Sequence, residues 1–344
     1  MARFMILVPD AHLRDLDIER AITGERFAYD VYDETEPAKI PDSAWDTCDV
    51  VLVWHRMRIT QAVVAKLHRC RLIVRVGVGF DNVDTKACTA AGIPVCNVPN
   101  YGTTEVADHA LALLLYLVRG IGSYQDRMRA DFVTGFLAEE VPVVRRIRGL
   151  TFGAIGMGRI GTAVARRAAA FDMKIIYFDP YLPEGHDLSL GLERVRSLEA
   201  LLARADIASL HVPLSDETRN IIDAERIAQM KPGSILINIA RGGLVDVDAV
   251  EQALRSNHLS AAALDVLPVE PPVPAPNLLR AWQAKEPWLA GRFAVTPHAA
   301  FYSEAGYVDM RTFSAEIIVG CFDGERLRNN VNPGWEANAK ARVH

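Results

Sequence analysis

The sequence has no basic excess: 38 Lys and Arg against 43 Asp and Glu leave a net charge of −5 over 344 residues. A general nucleic-acid surface needs the opposite balance, so none is expected. Long hydrophobic runs are missing as well. The longest, residues 110–118, is far shorter than the roughly 20 apolar residues of a membrane span, so no membrane partner is expected. The chain enters a strand at once (Phe4 to Val8), too short a run for a signal-peptide core. Cysteine is scarce, and Cys48, Cys70, Cys88, Cys96 and Cys321 show no C-x-x-C spacing. That excludes a disulfide framework; reduced, mostly buried thiols and a cytoplasmic location are expected, with no metal. No charge block or low-complexity tract interrupts the chain. What remains is a globular composition, 50% hydrophobic and 24% charged, long enough for two domains.

Short β-rich runs alternate with helical stretches from end to end, the pattern of parallel sheets wound by crossover helices. Strands are expected over 4–8, 27–31, 50–54, 72–76 and 94–98, then over 152–155, 174–178, 207–211, 234–239, 261–266 and 293–296. Two successive sets predict two Rossmann-like α/β domains. Between them a helix is expected over 104–129, apolar on every face from Ala110 to Val118. Such a helix must be covered on all sides, and a second subunit is a natural source of that cover. A last helical pattern, 303–322, is expected to pack back on the first domain.

The most informative stretch is Gly156-Met157-Gly158-Arg159-Ile160-Gly161. Alone, G-x-G-x-x-G is a weak signal. Here an apolar strand candidate precedes it, and Ile160, Val164, Ala168 and Phe171 follow at helical spacing. Gly156 permits a tight turn, Gly158 lets the backbone approach a pyrophosphate, and Gly161 lets helix and strand pack closely. Asp179, ending the next strand, is placed to take the adenosine ribose hydroxyls. These residues predict a dinucleotide site.

Three further segments follow strands of the second set. Arg241, before Gly242 and Gly243, offers a planar fork for a carboxylate. His298, after Thr296 and Pro297, can exchange a proton near neutral pH. Glu270, among prolines, is suited to pair with that histidine, raise its pKa and fix its tautomer. Each has a structural explanation alone. Together, behind a dinucleotide loop, they predict an active site, because ligands of open parallel sheets bind beyond the carboxyl ends of the strands.

Residues 74–84, 95–107, the glycine loop, 239–243, 265–271 and 296–298 make the chain resemble the D-isomer-specific 2-hydroxyacid dehydrogenase family. Within it, residues 73–77, Trp54, His55 and 297–304 are most similar to the C-terminal-binding-protein-like branch. Phe301 stands where that branch has a tryptophan, and 272–292 is a longer insertion carrying Trp282 and Trp288. The resemblance implies a discontinuous, flavodoxin-like substrate domain (1–100 and 301–344) into which an NAD-binding Rossmann domain (101–300) is inserted. It implies NAD as cofactor, a homodimer, and a small 2-oxo or 2-hydroxy acid as substrate. Arg241, Glu270 and His298 become the catalytic trio. Substrate is implied to bind at Arg75, Val76, Gly77, Val78, Gly79 and Arg241. Cofactor is implied at the glycine loop with Asp179, at His211, Val212, Pro213, Thr218, Ile239, Ala240, Asp265, His298 and Ala300, with Asp265 on the nicotinamide carboxamide. The alternative implied by that branch is an NADH-sensing corepressor or scaffold.

Overall fold

The computed structural model describes residues 3–11, 15–138, 141 and 143–339. The chain divides into two units, Met1–Gly102 with Ser303–His344, and Thr103–Tyr302.

The first unit is built on five parallel strands: β1 (Phe4–Val8), β2 (Phe27–Val31), β3 (Val50–Val53), β4 (Leu72–Arg75) and β5 (Val95–Asn97). Their order is β2-β1-β3-β4-β5, the doubly wound arrangement expected of a flavodoxin-like sheet. Every residue of β3 and β4 is buried, which is why β3 and the first three residues of β4 read as continuous apolar runs and not as alternation. The chain returns to this unit through the helix Glu304–Phe322, whose Ser303 cap accepts the Gly306 N–H at 2.9 Å. Arg311 on that helix makes a buried two-pronged pair with Glu19 (2.9 and 2.6 Å) on the helix Asp17–Thr23. Cys48, Cys70, Cys88 and Cys96 are buried thiols outside any disulfide, and Cys321 is half-buried.

The second unit carries seven parallel strands: β6 (Thr151–Ile155), β7 (Lys174–Phe178), β8 (Glu193–Arg194), β9 (Ile207–Leu210), β10 (Ser234–Asn238), β11 (Leu259–Leu264) and β12 (Phe293–Val295). The order β12-β11-β10-β9-β6-β7-β8 reverses direction at β6 and β9. That reversal opens a crevice beyond the strand ends, where ligands of such sheets bind. The two-residue strand β8 had no signature in the sequence.

The apolar stretch before β6 departs from expectation. Gly120 takes a left-handed φ of +63° and ends the first helix, so one helix over 104–129 becomes two, Thr103–Val118 and Ile121–Ala130, bent by 55°. The first packs on the helix Arg159–Ala170 and on β10, β11 and β12. That burial covers Ala107, Ala110, Leu111, Leu113, Leu114, Leu117 and Val118. The helix is therefore covered mainly by its own chain, where a second subunit was expected, and Thr104, Asp108, Ala112 and Tyr116 are its exposed residues. No single helix among the described residues is long and apolar enough to cross a membrane. The insertion folds back on this unit as the helix Asn277–Gln283 and a short turn of helix Pro287–Leu289. Leu278 and Leu289 join the core, and the Arg255 guanidinium stacks on the Trp288 ring at 4.1 Å. Trp282 stays exposed.

Candidate functional site

The glycine loop joins β6 to the helix Arg159–Ala170. Gly156 has φ +91°, and a Cβ there would stand 2.8 Å from Val212 Cγ1 and 2.9 Å from the His211 carbonyl oxygen. A Cβ on Gly161 would fall 2.1 Å from the Gly156 oxygen, so helix and turn can approach this closely only without a side chain. Gly158 differs: a Cβ there would meet nothing within 4 Å. This position caps the helix without a side chain and faces open space beside Arg159, as a pyrophosphate-binding turn requires. Of the apolar residues expected to line the helix, Val164 and Ala168 are buried and Ile160 half-buried, whereas Phe171 is exposed beyond its end.

Asp179 follows β7. Its Oδ2 accepts the Met157 N–H of the glycine loop at 3.0 Å and its Oδ1 the Tyr181 N–H at 3.0 Å. These bonds hold the carboxylate beside the turn. A residue that sequence proximity hid is Arg194 on β8, whose Nη2 donates to the Asp179 carbonyl at 2.6 Å. His211 follows β9 on the other side of β6. Both of its ring nitrogens are buried without a partner among the described residues, and burial pushes the imidazole down to about 3. Val212 and Pro213 continue this edge. The Thr218 Oγ1 donates to the Pro213 carbonyl at 2.7 Å and accepts the Ser215 N–H at 2.8 Å. It shapes the loop. The open second glycine, the orphaned His211 nitrogens and the Asp179 carboxylate together fit a dinucleotide.

Ile239 is buried after β10, and Ala240 donates its N–H to Asn238 Oδ1 at 3.1 Å. The turn is tight: a Cβ on Gly242 would lie 1.9 Å from the Leu267 carbonyl carbon. Arg241 is thereby set at the head of the 3-10 turn Gly242–Leu244, its Nη1 donating to the Ala240 carbonyl at 2.8 Å. Past β11, Glu270 turns back on its own loop, and its Oε1 accepts the Leu267 N–H at 2.8 Å. Oε2 lies 2.6 Å from Nδ1 of His298. Burial pushes the Glu270 carboxyl up, but the His298 hydrogen bond and charge, the Leu267 N–H and the Arg241 charge outweigh it. The net effect holds Glu270 below its ordinary value. An ionised carboxylate accepts only, so Nδ1 carries the proton and Nε2 is the second working atom of the ring. His298 itself sits at φ +55°, strained for a residue with a side chain. The Phe301 ring stands edge-on to it at 6.3 Å.

Asp265 explains how that strain is held. Its buried carboxylate accepts the Thr296 hydroxyl (2.6 Å), the Ala299 N–H (2.8 Å) and the Ala300 N–H (3.0 Å), while its backbone oxygen accepts the His298 N–H (2.7 Å). The carboxylate expected to face the nicotinamide also braces the loop that carries His298. His109, from the helix Thr103–Val118, completes the arrangement with Nε2 3.0 Å from Thr296 Oγ1. Nothing in the sequence signalled this contact.

In the first unit, β4 ends in a turn through Arg75, Val76, Gly77, Val78 and Gly79. Gly77 has φ +128°, and a Cβ there would fall 1.9 Å from Nη1 of Arg75, so the buried guanidinium lies where a side chain would stand. Arg75 Nη1 donates to the Val76 carbonyl at 2.5 Å. Of two other residues marked in the sequence, Trp54 is buried against the Tyr307 ring at 5.7 Å, and His55 is exposed.

A family model described as the NAD binding domain of D-isomer specific 2-hydroxyacid dehydrogenases matches residues 111–300. C-terminal-binding protein 1 of Caenorhabditis elegans is 31% identical over 344 residues, covering 93% of this chain and 45% of that protein. D-3-phosphoglycerate dehydrogenase of Methanocaldococcus jannaschii is 38% identical over 284 residues, covering 83% of this chain and 52% of that protein. The chain spans about half the length of these curated relatives. Among solved structures, D-lactate dehydrogenase of Aquifex aeolicus with NAD and lactic acid superposes with a TM-score of 0.83 at 28% identity, covering 95% of this chain and 99% of that one. The NADPH-dependent glyoxylate/hydroxypyruvate reductase of Sinorhizobium meliloti, with NADP and malonate, gives a TM-score of 0.84 at 26% identity, covering 97% and 98%.

Proposed function

The chain belongs to the D-isomer-specific 2-hydroxyacid dehydrogenase family, and we propose that it interconverts a small 2-oxo acid and the corresponding D-2-hydroxy acid. The observation that carries this reading is the 2.6 Å pairing of His298 Nδ1 with Glu270, in a loop whose carboxylate also feels the Arg241 charge. When bound, NADH supplies the hydride that reduces the carbonyl carbon. His298 gives a proton from Nε2 to the carbonyl oxygen in reduction and takes it back in oxidation. Glu270 fixes the ring and balances the imidazolium charge. Arg241 presents its fork to the acid, polarising the carbonyl and orienting one face. The turn through Gly77, Val78 and Gly79 contributes backbone N–H groups to the carboxylate. A pure nucleotide sensor has no need of a proton donor. NADH-oxidation assays across glyoxylate, hydroxypyruvate, phenylpyruvate and branched 2-oxo acids test the reading; no turnover with any of them would favour the sensing role suggested by the likeness to C-terminal-binding protein 1.

The assembly assigned to this enzyme is a homodimer, and its location the cytoplasm, where five cysteines outside any disulfide are at home. In support of the dimer, Phe132, Val133, Phe136 and Leu137 follow the helix Ile121–Ala130 as an exposed apolar group. Four large apolar side chains together on a surface mark an interaction site.

A further inference from the structure

Asn97 ends β5 and is only 6% exposed. Its side-chain amide nitrogen donates to the Val78 carbonyl at 2.6 Å. Only the nitrogen can donate to a carbonyl, so the orientation of this amide is fixed by chemistry. In a trans peptide the C=O of one residue and the N–H of the next point in opposite directions. Holding the Val78 carbonyl therefore sets the direction of the Gly79 N–H. The two preceding peptides are held in the same way. The Gly77 carbonyl accepts the Val98 N–H at 2.9 Å, and the Val76 carbonyl accepts Arg75 Nη1 at 2.5 Å. The N–H groups of Gly77, Val78 and Gly79 donate to no other residue among those described. Three successive carbonyls are thus tied to the chain, and three N–H groups are turned the other way. Consecutive backbone N–H groups of this kind make an anion-binding concavity.

The three ties differ in what they withstand. The Val98 tie is backbone and survives any side-chain change. Arg75 brings a charge as well as a donor, so its replacement alters two things at once. Asn97 is neutral and acts through one hydrogen bond. We propose that Asn97 is a positioning residue for the substrate: it aims the Gly79 N–H at the carboxylate of the 2-oxo acid without touching the substrate. This inference rests on the assignment of the turn to the substrate carboxylate. An aspartate in its place would set a carboxylate oxygen against the Val78 carbonyl oxygen, and the peptide would rotate away from that repulsion.

The test uses the NADH-loaded enzyme and the isosteric variant N97D. Three quantities are measured: NADH affinity by fluorescence, KM for the best 2-oxo acid, and the affinity of oxamate, a non-reducible 2-oxo acid mimic, for the NADH complex. KM and the oxamate Kd should rise by roughly tenfold to a hundredfold, the range for a lost hydrogen bond that leaves a buried acceptor unpaired. NADH affinity should stay at the wild-type value, and kcat should change less than KM. In acid, the protonated carboxyl of N97D regains a donor, so KM should recover toward that of the wild type measured at the same pH. If N97D does not fold, N97S takes the same test, since its hydroxyl is too short to reach the carbonyl. A wild-type KM in the variant overturns the inference, and so does an equal loss of NADH affinity, which would make Asn97 a support of the fold alone. If the wild-type enzyme neither binds oxamate nor reduces any 2-oxo acid, the assignment of the turn fails first and takes the inference with it.

Discussion

Nδ1 of His298 stands 2.6 Å from Oε2 of Glu270, while Oε1 of the same carboxylate accepts the Leu267 N–H at 2.8 Å. The carboxylate is held by its own loop before it meets the imidazole. It therefore orients the ring and does not follow it. Because the folded protein holds Glu270 below its ordinary value, this contact contributes stability above the usual carboxylate range and loses it as pH falls through the folded value.

Glu270→Gln should consequently keep the geometry and lose the countercharge of the imidazolium. Reduction of the 2-oxo acid should fall off at lower pH than in the wild-type enzyme, with partial recovery in acid. The pH dependence of kcat/KM checks this. Overlapping profiles would mean that the pair does not operate in turnover.

Arg241→Lys preserves charge and removes the planar fork. KM for the acid should rise and kcat should fall, while NADH affinity holds. Steady-state kinetics with fluorescence titration separate the three. A change in kcat alone would confine Arg241 to the chemical step.

NADH should be preferred over NADPH. The Asp179 carboxylate is locked beside the glycine loop, and a carboxylate about 4 Å from a 2′-phosphate repels it by up to ~4 kcal/mol at an effective dielectric near 20, less once screened. Discrimination on the order of a hundredfold is expected from that repulsion. Since Arg194 lies against the Asp179 carbonyl, Asp179→Ser should leave a cation near the ribose and narrow the ratio of kcat/KM values. Equal efficiency with both cofactors in the wild-type enzyme would remove Asp179 from this role.

The glycine loop was legible in the sequence because its requirements are local: a turn, an approach and a close packing contact, each needing the absence of a Cβ within six residues. The buried parallel strands were legible for a similar reason, since β3 is apolar throughout and β4 is apolar up to Arg75 at its end. Contacts made by chain crossover were not legible. His109 meets Thr296 because its helix packs across β12, and Arg194 meets Asp179 because β8 pairs with β7. The break at Gly120 was masked by the apolar run before it, where composition favoured one long helix and a single left-handed glycine decided otherwise. The cover of that helix was not legible, because an apolar surface shows that it is buried, not by what.

Phe132 and Phe136, 76% and 80% exposed, should be dimer contacts. Light scattering should show a dimer for the wild-type chain, and the double variant F132D/F136D should shift it toward monomer. A wild-type monomer at micromolar concentration would contradict the assembly.

Arg311 and Glu19 are both buried, and their pair joins the helix Glu304–Phe322 to the helix Asp17–Thr23. Arg311→Met should destabilise by about 3–5 kcal/mol, because Glu19 is left as an uncompensated buried charge. Adding Glu19→Gln should recover much of the loss. Thermal unfolding of the single and double variants compares them, and equal melting temperatures for wild type and Arg311→Met would show that the pair contributes nothing net.

The most direct test of the central claim is kcat for reduction of the best 2-oxo acid by the wild-type enzyme and by His298→Ala, with NADH affinity measured alongside. Wild-type turnover, a fall in kcat of roughly 10²–10⁴ in the variant and unchanged NADH binding are predicted. Near-normal turnover in His298→Ala would contradict the assignment of the proton donor.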